Sequence, residues 1–152
     1  MRVFRISKCK YARDLSGYGA YIHGGRWNSR GQYLIYSSQS IALSMLEVLV
    51  HFQPHQAPVD FCLLTLEIAD NSIETFDSET LPLHWNHYPN TMVTQSIGNA
   101  FLQRNKNIAL KVPSGIIEKE FNFLLNPNHP LFRQKTEIIS VEEITFDKRL
   151  VG

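Results

Sequence analysis

The sequence predicts a single-domain α+β protein, residues 1–152, with a mixed β-sheet core and a few helices. Three observations predict it. The length of 152 residues is that of one domain, which commonly runs to about 100–150 residues. An apolar fraction of 43% against 19% charged residues is a globular composition, far from the corner where chains cannot offset their ordering entropy. Finally, about seven strand-like runs accompany two helical ones without regular βαβ alternation, which argues against a doubly wound parallel sheet.

The elements follow in chain order. Residues 3–6 alternate as a strand does, and residues 15–25 read as a loop carrying Gly17, Gly19, Gly24 and Gly25. That loop delivers the chain to Arg26, Trp27 and Asn28. After a turn at Ser29, Arg30 and Gly31, residues 33–36 read as a short buried strand that Ser37 and Ser38 bring to an end. A helix is predicted over residues 39–52, with serines for its N-cap and Pro54 beyond its end. Ile41, Met45, Val48, Leu49 and Phe52 share one face, and Ala42, Leu43, Leu46 and Val50 widen the apolar arc, so this helix reads as largely buried. Its narrow polar strip is Ser40, Ser44, Glu47 and His51, which sets Glu47 either at the surface or lining a cleft.

Residues 61–68 and 73–76 read as strands, and residues 81–89, rich in aromatic residues and proline, as irregular structure. A second helix is predicted from 90 or 91 to about 104, with Gly98 weakening it. Strands are then expected at 108–112, at 115–117 or somewhat beyond, and at 137–146, with a turn-rich run from Asn122 to Pro130.

Charge and cysteine content narrow the function classes. Fifteen Lys and Arg against fourteen Asp and Glu leave a formal charge of +1, so no summed field favours nucleic acid or an anionic membrane. Cys9 and Cys62 have no CxxC or Cys/His quartet around them, and reduced thiols are the expectation for a chain of this size. The histidines lack HExxH spacing, so no metal site is assigned, and the glycines match neither a P-loop nor GxGxxG. With no signal-peptide core and no long apolar run, a cytoplasmic protein is expected.

Four local signals carry chemistry. Two glycines before Arg26 let backbone approach closely, and the planar guanidinium suits bidentate capture of phosphate, with Trp27 holding the strand in place. Tyr36, ending an apolar strand, reads as a core tyrosine with its hydroxyl at the rim or as a ring that stacks on a heteroaromatic ligand. Glu47 reads either as the i, i+4 partner of His51 or as a cleft carboxylate. Ser114, after Pro113, reads first as a turn-forming serine; it is no GxSxG nucleophile.

The order of these elements is more specific than any one of them. Gly24-Gly25-Arg26-Trp27-Asn28 with Gly31, then Tyr36-Ser37-Ser38, Ala42 and Leu46-Glu47, Val112-Pro113-Ser114, and Asn122 with Asn126-Pro127-Asn128-His129-Pro130, resembles the RES domain family over about residues 2–146. The arginine, glutamate and serine that name the family match Arg26, Glu47 and Ser114. The resemblance implies an ADP-ribosyltransferase-like fold and the toxin of a toxin–antitoxin pair. It also implies consumption of NAD+ as substrate, by hydrolysis or phosphorolysis, with protein ADP-ribosylation in some members and no resident cofactor. An Xre-like antitoxin is the implied partner, occluding the active site by blocking Arg26.

On that resemblance Glu47, Arg26 and Tyr36 are the expected catalytic residues. Arg26, Tyr36, Ser114, Trp27 and Asn122 are the expected substrate-binding residues. Cleaving the nicotinamide–ribose bond passes through an oxocarbenium-like state that one carboxylate can stabilise, because the leaving nitrogen is already cationic and needs no general acid. The acceptor of the ADP-ribosyl group stays open between water, phosphate and a protein side chain. A binding module that keeps the fold without turnover is the alternative.

Overall fold

The computed structural model describes residues 1–152 and places seven strands in one mixed sheet. The strands are Arg2–Lys8 (β1), Ile35–Ser38 (β2), Phe61–Ile68 (β3), Ile73–Thr75 (β4), Ala109–Pro113 (β5), Phe121–Leu125 (β6) and Thr136–Ile144 (β7), in the order β4-β5-β6-β2-β1-β3-β7. Only β4 and β5 run parallel; the other neighbours are antiparallel. Helices Tyr18–His23 (α1), Ile41–Leu49 (α2), Met92–Arg104 (α3) and Phe132–Lys135 (α4) complete the α+β architecture that the sequence predicts.

Side chains alternate across a strand, so register decides which residues meet. Ser38 lies opposite Asn122, and Asn122 lies opposite Val112. Tyr36 lies opposite Leu124, which lies opposite Leu110. Counting in twos puts Tyr36, Ser38, Leu110, Val112, Asn122 and Leu124 on one face, where Leu110, Val112 and Leu124 pack with Trp27, Leu34 and Phe101. The opposite face of the same strands, through Ile35, Ala109, Phe123 and Leu125, joins the largest core cluster with Leu64, Leu66 and Ile68.

Helix α3 packs closely on the first of these faces. A Cβ on Gly98 would lie 1.7 Å from the carbonyl oxygen of Trp27, so the glycine that weakens the helix on propensity alone is what lets α3 approach the chain at Trp27.

Four expectations are corrected. Residues 15–25 are not all loop, because α1 forms within them: Gly17 (φ 74) and Gly24 (φ 68) cap it in backbone conformations that glycine adopts without strain. Residues 115–117 are turn, and the strand is instead β6, whose Leu124 and Leu125 are fully buried. The Asn and Pro residues that follow hide its short apolar run in the sequence. Helix α2 is capped by Ser40, which accepts from the Leu43 amide at 3.1 Å, but is not largely buried. It packs one face on β1 and β2, so Ile41, Leu46 and Val50 stay exposed while Ser44, from the polar strip, turns inward and donates to the Phe4 carbonyl.

The fourth correction concerns the cysteines, which are joined in a Cys9–Cys62 disulfide. Antiparallel pairing sets Ser7 opposite Cys62, and the Cys9 amide donates to the Asp60 carbonyl at 2.8 Å. The two Cα atoms are thereby brought to 4.8 Å despite 53 positions of separation.

Candidate active site

The site is assembled where β2, β5 and β6 meet α2. Asn122, at the start of β6, accepts from the Ser38 hydroxyl through Oδ1 at 2.8 Å and donates through Nδ2 to Glu47 Oε1 at 2.5 Å. Ser114, completely buried just past β5, donates to the same Glu47 oxygen at 2.9 Å. Glu47 Oε2 receives no hydrogen bond from the protein. Of the two positions open for this carboxylate, the structure selects the inward one: its partners come from the sheet, and it does not pair with His51.

Ser114 is the turn-forming serine the sequence predicts, and it also donates to Glu47. Its oxygen accepts from the Ile116 and Ile117 amides at 3.0 and 3.2 Å, forming the turn between β5 and β6. Its hydroxyl proton then has one direction left, toward Glu47. The turn therefore orients the donor.

Arg26 approaches the same region from the loop before β2. Its guanidinium donates from Nη1 to the carbonyls of Trp85 at 3.1 Å and His87 at 3.3 Å, and from Nη2 to that of Asn86 at 3.2 Å. Partial burial holds this group below the usual arginine range, and the Glu47 carboxylate opposes that shift. The Trp85 ring lies beneath the guanidinium, 6.0 Å from its centroid.

Tyr36 and Asn28 shape the loop that presents Arg26. The Tyr36 hydroxyl donates to Asn28 Oδ1 at 2.6 Å and accepts from the Trp27 amide at 3.0 Å. Burial pushes this phenol well above its ordinary value of 10.0. A Cβ on Gly25 would meet the hydroxyl oxygen at 2.6 Å, which accounts for the second glycine of the pair before Arg26. Asn28 is fully buried and spends its Nδ2 on the carbonyls of Ala20, Ser29 and Gln32.

The structure thus brings Glu47, Ser114 and Asn122 into direct contact and places Arg26 and Tyr36 beside them. Trp27 is placed differently: it is only 2% exposed and packs against Phe76 and Trp85 in the core beneath the loop. A ring so enclosed supports the loop that carries Arg26, and the substrate contact expected of it is corrected to that supporting place.

Sequence reasoning passed over three contributors. Gln95, on α3, donates to the carbonyls of Gly25 and Asn28 at 3.0 and 3.2 Å. Ser38, read as the end of a strand and as part of the Tyr36-Ser37-Ser38 motif but given no role, orients Asn122. The carbonyls of residues 85–87 hold Arg26, and backbone carbonyls leave no trace in side-chain pattern. Only Ser38 carried a signal, as a polar residue in register with Asn122.

A surface groove of about 570 Å³ is lined by Gln32, Tyr33, Asn99, Gln103 and Asn126 among others and contains none of the expected site residues. Asn126 follows β6, so the groove lies at the opposite end of the β5–β6 hairpin from Glu47. No helix is long and apolar enough to cross a membrane.

Comparison with known proteins identifies the family. A family model described as the RES domain matches residues 2–147. A protein named "Toxin Res" from Yersinia enterocolitica is 36% identical over 151 residues, covering 99% of both chains. One named "Prs ADP-ribosylating toxin" from a Sphingobium strain is 38% identical over 132 residues, covering 85% of this chain and 82% of its own. The fold is also found in the crystal structure of the M. tuberculosis MbcT–MbcA toxin–antitoxin complex, with a TM-score of 0.71 at 17% identity over 99% of this chain and 86% of that one. With the family match running over nearly the whole sequence and the motif residues gathered around one carboxylate, this chain belongs to the RES domain family.

Proposed function

We propose that this chain is the toxin of a toxin–antitoxin pair and that it cleaves the nicotinamide–ribose bond of NAD+. The observation that carries the reading is the Glu47 carboxylate, fixed through Oε1 by two neutral donors while Oε2 stays open. Such a group is oriented without being neutralised by a protein cation. It is suited to stabilise positive charge as it develops on a bound sugar.

In the reaction the C1′–N bond breaks and its electron pair goes to the pyridinium nitrogen, releasing neutral nicotinamide. Glu47 faces the resulting oxocarbenium ion. A water oxygen bonds to C1′ and gives up a proton, so that NAD+ and water yield nicotinamide, ADP-ribose and one proton. Inorganic phosphate in place of water would yield the 1-phosphate of ADP-ribose, and a protein side chain would yield an ADP-ribosylated protein. Arg26 supplies positive charge for the diphosphate, and Ser114 and Asn122 keep Glu47 in place. Tyr36 keeps the Arg26 loop in place from beneath.

The names carried by the relatives support the toxin reading and, in the Sphingobium protein, an ADP-ribosyl transfer. A cell that makes such an enzyme needs it held in check, so a cognate antitoxin of Xre-like type that covers the Arg26 and Glu47 region is part of the proposal.

The test is nicotinamide release from NAD+ by the purified chain, with and without phosphate, for wild type and Glu47→Gln. Removing the charge while keeping an acceptor for Ser114 and Asn122 should lower release about 100- to 1000-fold, the usual loss for one electrostatic contributor. Release unaffected by the substitution would overturn the role of Glu47. A folded wild type that neither releases nicotinamide nor arrests growth would point to a binding module.

A further inference from the structure

A guanidinium carries five N–H donors, and three of those of Arg26 are committed to the successive carbonyls of Trp85, Asn86 and His87. Two remain, the Nε–H and one on Nη2. They sit on neighbouring nitrogens and form the side-on pair that suits two oxygens of one phosphate. The three carbonyls therefore choose which edge of Arg26 a ligand can use.

Gly115 lies against the flat face of this guanidinium. A Cβ built on Gly115 would lie 2.8 Å from Nε, 3.1 Å from Cζ and 3.3 Å from Nη2. Gly115 is not among the residues with positive φ, so its backbone conformation does not call for glycine. What calls for glycine is the close approach of its backbone to the face of the Arg26 guanidinium.

The strap that supplies the carbonyls is tied to the turn that carries Gly115. Asn86, whose carbonyl receives Arg26, donates through Nδ2 to Glu118 Oε1 at 2.8 Å. The Asn86 peptide is thus held from both sides. The Asn86–Glu118 bond is exposed to solvent, where a hydrogen bond adds little to overall stability, so its place in the structure is better explained by what it positions.

Resting on the reading of Arg26 as the residue that meets the NAD+ diphosphate, we infer that Asn86 and Glu118 are positioning residues that set the Arg26 guanidinium, and that Gly115 leaves the room in which its face lies, so that the uncommitted edge stays aimed at the diphosphate. The substrate class is narrowed accordingly to nucleotides with a diphosphate beside the ribose, in preference to a nucleoside.

The experiment compares nicotinamide release from NAD+ and from nicotinamide riboside, which has no diphosphate, for the full chain and its variants. Gly115→Ala, Asn86→Ala and Glu118→Ala should each raise KM for NAD+, with kcat within about twofold. Gly115→Ala should do so about tenfold or more, and the strap variants about three- to tenfold, the range expected when one charge-assisted contact is misplaced. The preference for NAD+ over the riboside, as the ratio of kcat/KM, should fall with it. Glu118→Gln retains an oxygen acceptor for Asn86 and should restore the wild-type KM. An unchanged KM in both strap variants, or an equal loss on the riboside, would overturn the inference alone, because the change would then lie at Glu47 or in the fold. A folded wild type without NAD+ turnover would remove the underlying reading and this inference together.

Discussion

Glu47 and Asn122, 75 positions apart in sequence, meet through a single carboxylate oxygen: Asn122 Nδ2 donates to Oε1, and Oε2 is left without a protein partner. The asymmetry is useful to a catalyst. One oxygen sets the orientation, and the other, free of protein partners, is the one the proposed reaction assigns to substrate.

Loosening that anchor should cost activity in steps. Asn122→Ala removes one of two donors and should lower nicotinamide release about tenfold, less than Glu47→Gln, since Ser114 still holds the carboxylate. Asn122→Asp sets a second carboxylate against Glu47 and should lose more than the alanine variant. Steady-state rates for the three proteins check the order, which an equal loss in Asn122→Ala and Glu47→Gln would contradict.

Tyr36→Phe is expected to destabilise the fold by about 1–3 kcal/mol, because Asn28 Oδ1 and the Trp27 amide each lose a partner in a buried setting. Burial also raises the pKa of this phenol in the folded chain. The sign follows directly: the native state keeps a proton that the unfolded state gives up near pH 10, so stability falls as pH rises from about 10. Urea unfolding of wild type and Tyr36→Phe between neutral pH and pH 11 should show a shallower alkaline decline in the variant.

Gly98→Ala should destabilise even though alanine is the better helix former. The helix gain is about 1 kcal/mol, but the new Cβ would overlap the Trp27 carbonyl oxygen, at 1.7 Å. Moving α3 off that contact should cost about 2–4 kcal/mol. A melting temperature equal to or above that of wild type would contradict the close approach.

Reducing the Cys9–Cys62 bond opens a loop of 53 positions, for which chain entropy gives about 4 kcal/mol. Cys9→Ser together with Cys62→Ser should therefore melt well below the oxidised wild type, and wild type in reductant should melt with the variant. Thiol titration of the unfolded, unreduced protein should find no free cysteine.

The strands at β1, β3, β5 and β7 and the two main helices could be read from the sequence because they show strong local patterns of period two or near 3.6. Helix α1 and strand β6 could not, since glycine caps look like loop and Asn122 with the following prolines looks like turn. The exposure of α2 was misread for a related reason. A wide apolar arc records composition around the helix, while burial depends on which neighbours arrive, and only the β1–β2 side received them.

The sequence by itself determined the fold class and, through the ordered motif positions, the membership in a family and the residues around which a site forms. Tertiary structure decided what those residues do for one another. It turned Glu47 inward, placed Ser114 and Asn122 on one of its oxygens, buried Trp27, joined the cysteines and gave three of Arg26's donors to main-chain carbonyls. The physical reason is range. Backbone preference and hydrophobic period act between residues a few positions apart and are written locally, whereas a hydrogen bond across 75 positions depends on strand register, helix docking and turn geometry all being satisfied at once.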